Sequence, residues 1–261
     1  MKLKFEKYES GGNDFVLIDN RKNNYNLTSH QIKNICNRNF GVGSDGLIIL
    51  KKSTIADIKM IYYNSDGRLS TLCGNGTRCL FSFSLSLGII EKSAKIETSE
   101  GVYSATISNR NLVSLKMKNI DDIILFDNKA YLNSGSPHHV ELTKDLDKIP
   151  VKTMGASIRF SERYSPKGTN VNFCNKISEK KFIVRTYERG VEDETLSCGT
   201  GATAVAIAVH AMGLTTQNEI FIQTRGGELI ISFEISETGY KNIFLEGPTR
   251  FVFKGEYNDC K

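Results

Sequence analysis

The sequence predicts an α+β protein built from two similar halves, and three observations carry that reading. A short string occurs twice: Thr71 to Thr77 reads T-L-C-G-N-G-T, and Thr195 to Ala202 reads T-L-S-C-G-T-G-A, so Cys73 and Cys198 each precede a Gly-x-Gly step. Each copy follows a strand-like run that ends in polar residues and glycine, Asn64-Ser65-Asp66-Gly67 in the first half and Glu188-Arg189-Gly190 in the second. Each then leads through a helical stretch into β hairpins, Lys95 to Lys118 in the first half and Glu219 to Glu234 with Lys241 to Phe253 in the second. A supersecondary pattern that recurs in order marks an internal repeat, with a boundary expected near Lys118 to Asp127.

Taken in order, Leu3 and Phe5, the turn Gly11-Gly12-Asn13-Asp14 and the run Phe15 to Asp19 read as strand, turn, strand. Asn13 is a candidate polar group aimed from that turn into a site. Leu27 to Asn37 is a short amphipathic helix with Thr28 as N-cap. Gly41-Val42-Gly43-Ser44-Asp45-Gly46 matches G-x-G-x-x-G, but a helix precedes it and the strand Leu47 to Leu50 follows it. A dinucleotide fingerprint needs the reverse order, so these glycines are read as a tight lead-in to a strand. Ala56 to Tyr63 is the next strand. In Leu80 to Leu87, Phe81, Phe83, Leu85 and Leu87 alternate with serines, which locally favours a strand. The match with the Ala-rich run after Cys198 argues for a helix, and helix is the reading adopted. Asp121 to Asp127 is read as an acidic and apolar link, Lys144 to Ile158 is weakly patterned, and Lys181 to Tyr187 is a β run.

The 261 residues suffice for one large domain or two of about 130. The net charge of +5 comes from dispersed Lys and Arg without a polybasic block, which argues against a nucleic-acid partner and is compatible with a small anionic substrate. No stretch approaches the roughly 18 apolar residues of a membrane span, and the N-terminal residues lack the apolar run of a signal peptide. A cytoplasmic location is therefore expected, with the six cysteines reduced. No Cys-x2-Cys pair suggests zinc, and no cofactor motif stands out.

A cysteine at a helix mouth sits where free N–H groups and the helix dipole favour a thiolate, and where the same amides can hold a carboxylate. Two such turns suit proton transfer on and off one carbon, one thiolate as base and one thiol as acid. Amides at Gly74-Asn75-Gly76 and Gly199-Thr200-Gly201 would stabilise the developing charge. His138, after Pro137, is a natural neighbour to a thiol, and His139 the weaker candidate of the pair. Glu188 and Arg189 would hold an ammonium and a carboxylate. Arg78 is expected to face solvent.

These residues resemble the diaminopimelate epimerase family. The resemblance runs nearly end to end: G-N-D-F at Gly12 to Phe15, G-V-G-x-D at Gly41 to Asp45, N-x-D-G at Asn64 to Gly67, C-G-N-G-T-R-C at Cys73 to Cys79, G-x-P-H at Gly135 to His138, T-N-V at Thr169 to Val171, Y-E-R-G at Tyr187 to Gly190 and E-T-x-x-C-G-T-G-A at Glu194 to Ala202. It implies two pseudo-symmetric halves, each a curved, mostly antiparallel sheet around a central helix, with the active site in the cleft between them. The halves would be residues 1–120 and 121–252, with a tail, 253–261, packing back on the first. It also implies pyridoxal-independent interconversion of LL- and meso-2,6-diaminopimelate, for lysine and peptidoglycan precursors, by a homodimer. Cys73 and Cys198 would be the acid/base pair. Gly74, Asn75, Gly199 and Thr200 would meet the α-carboxylate, and Asn64, Asn170 and Arg189 the distal end. Asn13, Glu188 and His138 would lie near the reacting amino group. This sequence departs from the usual family pattern at Glu9-Ser10, Gly46 and Ser136. Rival readings are a two-cysteine proline or hydroxyproline racemase, a cysteine hydrolase pairing a cysteine with His138, and a non-catalytic homologue.

Overall fold

The computed structural model describes residues 2–70 and 73–258; Thr71 and Leu72, which open the first cysteine string, and Cys260 lie outside the described residues. The chain forms two compact units, Met1–Leu115 with Gly247–Lys261, and Lys116–Glu246.

In the first unit the chain runs β1 (Lys2–Ser10), β2 (Asn13–Asp19), α1 (Ser29–Cys36), β3 (Gly46–Lys51), β4 (Ile58–Asn64), α2 (Gly74–Ser86), β5 (Ser93–Thr98), β6 (Gly101–Ile107) and β7 (Val113–Lys116). Thr28 caps α1 through a capping box with Gln31. Phe15 to Ile18 of β2 and Leu47 to Leu50 of β3 are buried on both faces. One face packs Val16, Ile18, Leu47 and Ile49 against Ile32 and Ile35 of α1. The other meets α2, where a Cβ on Gly76 would stand 2.9 Å from Ile48 Cδ1 and 3.4 Å from Phe15 Cε1, so only glycine lets the helix approach this closely.

The second unit runs β8 (Ile123–Phe126), β9 (Lys129–Asn133), β10 (Pro137–Leu142), α3 (Val151–Arg159), β11 (Asn170–Ser178), β12 (Lys181–Glu188), β13 (Asp193–Thr195), α4 (Gly199–Ala211), β14 (Glu219–Thr224), β15 (Gly227–Ser236) and β16 (Gly239–Gly247). Val151 of α3 packs on Val171, Phe173 and Tyr187. The small side chains of Ala202 to Val209 leave α4 buried on every side. The chain then returns to the first unit as β17 (Arg250–Asn258), antiparallel to β1.

Pairing repeats between the units. In the first, β17-β1-β2 is antiparallel, β2-β3 parallel, β3-β4 antiparallel, β4-β5 parallel, and β5-β6-β7 antiparallel. In the second, β8-β9-β10, β10-β11, β11-β12, β12-β14 and β14-β15-β16 follow the same sequence of orientations. The parallel steps need crossovers, which α1 and α2 supply in one unit and α3 and α4 in the other. Each unit is thus a mostly antiparallel sheet with a buried helix, as the family resemblance implies.

Four details differ from the sequence reading. The boundary falls at 115/116 and not at 120/121, because Met117 N–H donates to Ile243 O at 2.8 Å and Ile120 exchanges backbone hydrogen bonds with Tyr240. The returning segment begins at Gly247 and not at 253, and it divides the run Lys241 to Phe253 between the units. The presumed link holds strand β8, whose partner is β9. Helix α3 stands where the sequence reads as weakly patterned; its packed side is Val151, Met154, Gly155 and Ile158, with Met154 and Ile158 only partly buried.

Candidate active site

Cys73 and Cys198 occupy the same local structure. Each is the N-cap of a helix, with φ/ψ of −117/111 and −125/112, and each sulfur accepts the N–H of the third helical residue, Gly76 or Gly201, at 3.4 Å. Both helices end alike, at Leu87 and Met212 in right-handed conformation followed by Gly88 and Gly213 at positive φ. Both sulfurs are half-buried. The first-turn amides of Gly74 and Asn75, and of Gly199 and Thr200, belong to the set that an α-helix leaves without intrahelical acceptors.

Around Cys73, the thiol faces Asn13 Oδ1 at 3.7 Å, and Asn75 Nδ2 donates to the same oxygen at 3.4 Å. Asn13 holds that orientation because its Nδ2 donates to Asp45 Oδ2 at 2.7 Å. Asp45 belongs to a set of charges with Arg38, Asp14 and the buried Lys7. Burial opposes ionisation of Asp14, yet hydrogen bonds from Arg38 and Lys7 hold its carboxyl down at about 2. Asn64 ends β4 opposite Gly46, exposed. Gly46 is confined by the Tyr62 ring, 2.6 Å from where its Cβ would be, which accounts for the missing side chain at that departure.

Around Cys198, Thr200 Oγ1 lies 3.4 Å from the sulfur and 3.0 Å from His138 Nε2. His138 is fully buried; burial, and then the positive charge of Arg189, push its pKa down to about 3, so the ring is neutral. Ser134 Oγ donates to Thr200 O at 2.7 Å. His139 turns to Tyr164 and Glu141. Asn170 is buried: its Nδ2 donates to Ser136 Oγ and Pro137 O, and its Oδ1 accepts the Arg189 N–H at 2.9 Å. Glu188 ends β12, and Arg189 follows it half-buried, with Nη1 on Lys167 O.

Sequence reasoning missed two residues and misplaced one. Asp45 orients Asn13. Asn172 donates to both His138 Nδ1 and His139 O, and accepts from Thr186. The spacing of Asn170 and Asn172, which puts both on one face of β11, is the signal that marks Asn172. Arg78 is not at the surface: it is fully buried, with Nη2 on Ser10 Oγ and Asn75 Oδ1, because its turn of α2 is enclosed by the sheet.

Residues 5–120 and 130–252 match the family described as Diaminopimelate epimerase. The chain is 48% identical over 253 residues to a Flavobacterium psychrophilum protein named "Diaminopimelate epimerase", covering 97% of this chain and 99% of the relative. It is 39% identical to the Chlorobaculum tepidum protein of that name, over 94% of this chain and 97% of the relative. Among solved structures, a phenazine biosynthesis protein from Bacillus anthracis superposes with a TM-score of 0.78 at 15% identity, over 98% of this chain and 99% of that one. A hydroxyproline epimerase from Agrobacterium vitis superposes with a TM-score of 0.67 at 14% identity, over 98% and 92%. These two likenesses show a shared fold. With both cysteine-capped helices inside the matched residues, the chain belongs to the diaminopimelate epimerase family.

Proposed function

We propose that this protein interconverts LL- and meso-2,6-diaminopimelate without a cofactor, supplying lysine and peptidoglycan precursors. The observation that carries the reading is the matched pair of N-cap cysteines, Cys73 and Cys198, in a chain 48% identical over nearly its whole length to a protein named "Diaminopimelate epimerase". Inverting a stereocentre requires a proton acceptor on one face of the carbon and a donor on the other. A thiolate and a thiol meet that need, and they exchange roles in the reverse reaction. The α-hydrogen of an amino acid is weakly acidic, so the carboxylate must be stabilised as charge develops on it. We assign this to the helix-end amides of Gly74, Asn75, Gly199 and Thr200.

Asn13 and Glu188 are assigned to the reacting ammonium, Asn13 with the amide oxygen that Asp45 turns away from itself. Arg189 and Asn64 are assigned to the distal end. Asn170 acts there chiefly by fixing the Arg189 backbone and the Ser136-Pro137 turn. His138, neutral, donates from Nε2 to Thr200 and so aims the threonine hydroxyl at Cys198. We further infer a homodimer, supported by Phe251, Val252 and Phe253, which leave an exposed apolar run on β17.

The test is incubation of the purified protein, without added cofactor, with LL-diaminopimelate, L-proline and trans-4-hydroxy-L-proline in deuterated water. α-Deuterium incorporation and meso product from LL-diaminopimelate alone are expected. Exchange confined to the proline substrates would overturn the substrate assignment. Light scattering of the eluting protein is expected at twice the chain mass.

A further inference from the structure

Arg78 is the largest fully buried side chain among the described residues. Its Nη2 donates to Ser10 Oγ at 2.8 Å and Asn75 Oδ1 at 2.7 Å, both neutral, while Nε and Nη1 meet no hydrogen-bond partner among the described residues. A guanidinium buried without a counterion is strongly disfavoured, and an anion nearby relieves it. Glu9 and Asp14, the carboxylates whose charge reaches the adjoining Cys79, are committed elsewhere. Asp14 and Asp45 are paired with Lys7 and Arg38, and Glu9 with Arg250 at 3.1 Å. Two thiols remain, Cys79 and Cys73, and a negative charge on either favours the charged guanidinium. Burial raises the Cys79 thiol well above its ordinary range, so Cys79 stays neutral. Cys73, at the mouth of the same helix, is half-buried where Cys79 is enclosed.

The repeat supplies the comparison. Aligning Cys73 with Cys198 puts Thr203 at the position of Arg78, and its hydroxyl donates to Gly199 O at 3.0 Å. Near Cys198 the buried imidazole of His138 is neutral, and the cation acting on it, Arg189, is half-exposed and preceded by Glu188, so solvent screens it. Among the described contacts, the Cys73 thiol facing Asn13 Oδ1 at 3.7 Å opposes the difference. A long neutral S–H···O contact is weak beside a full charge in a low-dielectric interior.

We propose that Arg78 is a positioning residue whose buried charge makes Cys73 the thiolate of the resting enzyme and leaves Cys198 as the thiol. This rests on the reading of the two cysteines as the acid/base pair. Arg78 acts through Cys73 and through Asn75, whose amide it turns toward Asn13. The resting protein would then be poised to accept a proton at Cys73 and to donate one at Cys198.

The test is iodoacetamide alkylation of the wild-type protein across a pH series, with Cys73 and Cys198 resolved by mass spectrometry of their peptides. Cys73 is expected to ionise at a pH lower by about one unit or more than Cys198. Equal midpoints, or a lower midpoint for Cys198, overturn the proposal. In Arg78→Met, checked for folding by circular dichroism, the Cys73 midpoint is expected to rise by about one unit with Cys198 unmoved, and Arg78→Lys to restore part of the shift. The acid limb of the kcat profile should move with it while KM changes little. A folded Arg78→Met whose Cys73 midpoint is unchanged contradicts the proposal, and if that variant does not fold, the wild-type comparison decides alone. Alkylation needs no substrate, so a wrong substrate assignment leaves this result readable.

Discussion

His138 Nδ1 accepts a hydrogen bond from Asn172 Nδ2 at 3.1 Å. The amide cannot be turned the other way, because Asn172 Nδ2 also donates to His139 O and its Oδ1 accepts from Thr186. The proton of the neutral ring is therefore on Nε2, facing Thr200 Oγ1. We predict that His138 does not titrate between pH 5 and 8 in NMR spectra of the folded protein. Its folded pKa, about 3, lies below the unfolded value, so the stability it contributes is present above about 6.5 and is lost as pH falls toward about 3.

Gly201 is where this network touches the helix. A Cβ there would stand 2.6 Å from Asn172 Oδ1 and 3.3 Å from Cys198 Sγ. Gly201→Ala is expected to cost roughly 1–3 kcal/mol in urea unfolding and to lower kcat by displacing Asn172 and the sulfur together. Wild-type turnover in that variant would show that the network does not position Cys198.

Lys7 and Asp14 form an ion pair at 2.7 Å with the lysine nearly enclosed. Asp14→Asn leaves that ammonium without its carboxylate, and a loss of roughly 3 kcal/mol is expected by chemical denaturation. In the wild type the contribution of ionised Asp14 holds above about 3.8 and disappears as pH falls toward about 2.

How far the sequence shows this site depends on whether a contact is local. The cysteine caps, the Thr28 cap and the glycine lead-in to β3 are set within a few residues, and they are legible. The alternation of Phe81 to Leu87 is a true strand pattern locally, but two of the serines find partners from a helix: Ser86 donates to Phe83 O, and Ser82 meets Thr249 at 2.6 Å. That second contact comes from the residue just before β17, toward the far end of the chain. The same strand reads as the close of the second half because nothing in its residues names β1 as partner. Arg78 is hidden for a related reason, since a charged residue is rarely buried and only the enclosing sheet shows that this one is.

β17 pairs with β1 from Lys2↔Asn258 to Glu9↔Arg250, and Phe253 packs edge-on to Phe5. Ending the chain after Glu246 should therefore remove a strand of the first unit. The expected result is loss of cooperative thermal unfolding and aggregation on expression. A soluble, cooperatively folded truncation would contradict this architecture.

Proton exchange in single-cysteine variants tests the two-thiol mechanism most directly. With LL-diaminopimelate in deuterated water, Cys73→Ala and Cys198→Ala are each expected to lose net epimerisation by roughly 10²–10⁴-fold while remaining folded. Either variant epimerising at the wild-type rate would contradict the assignment of both cysteines.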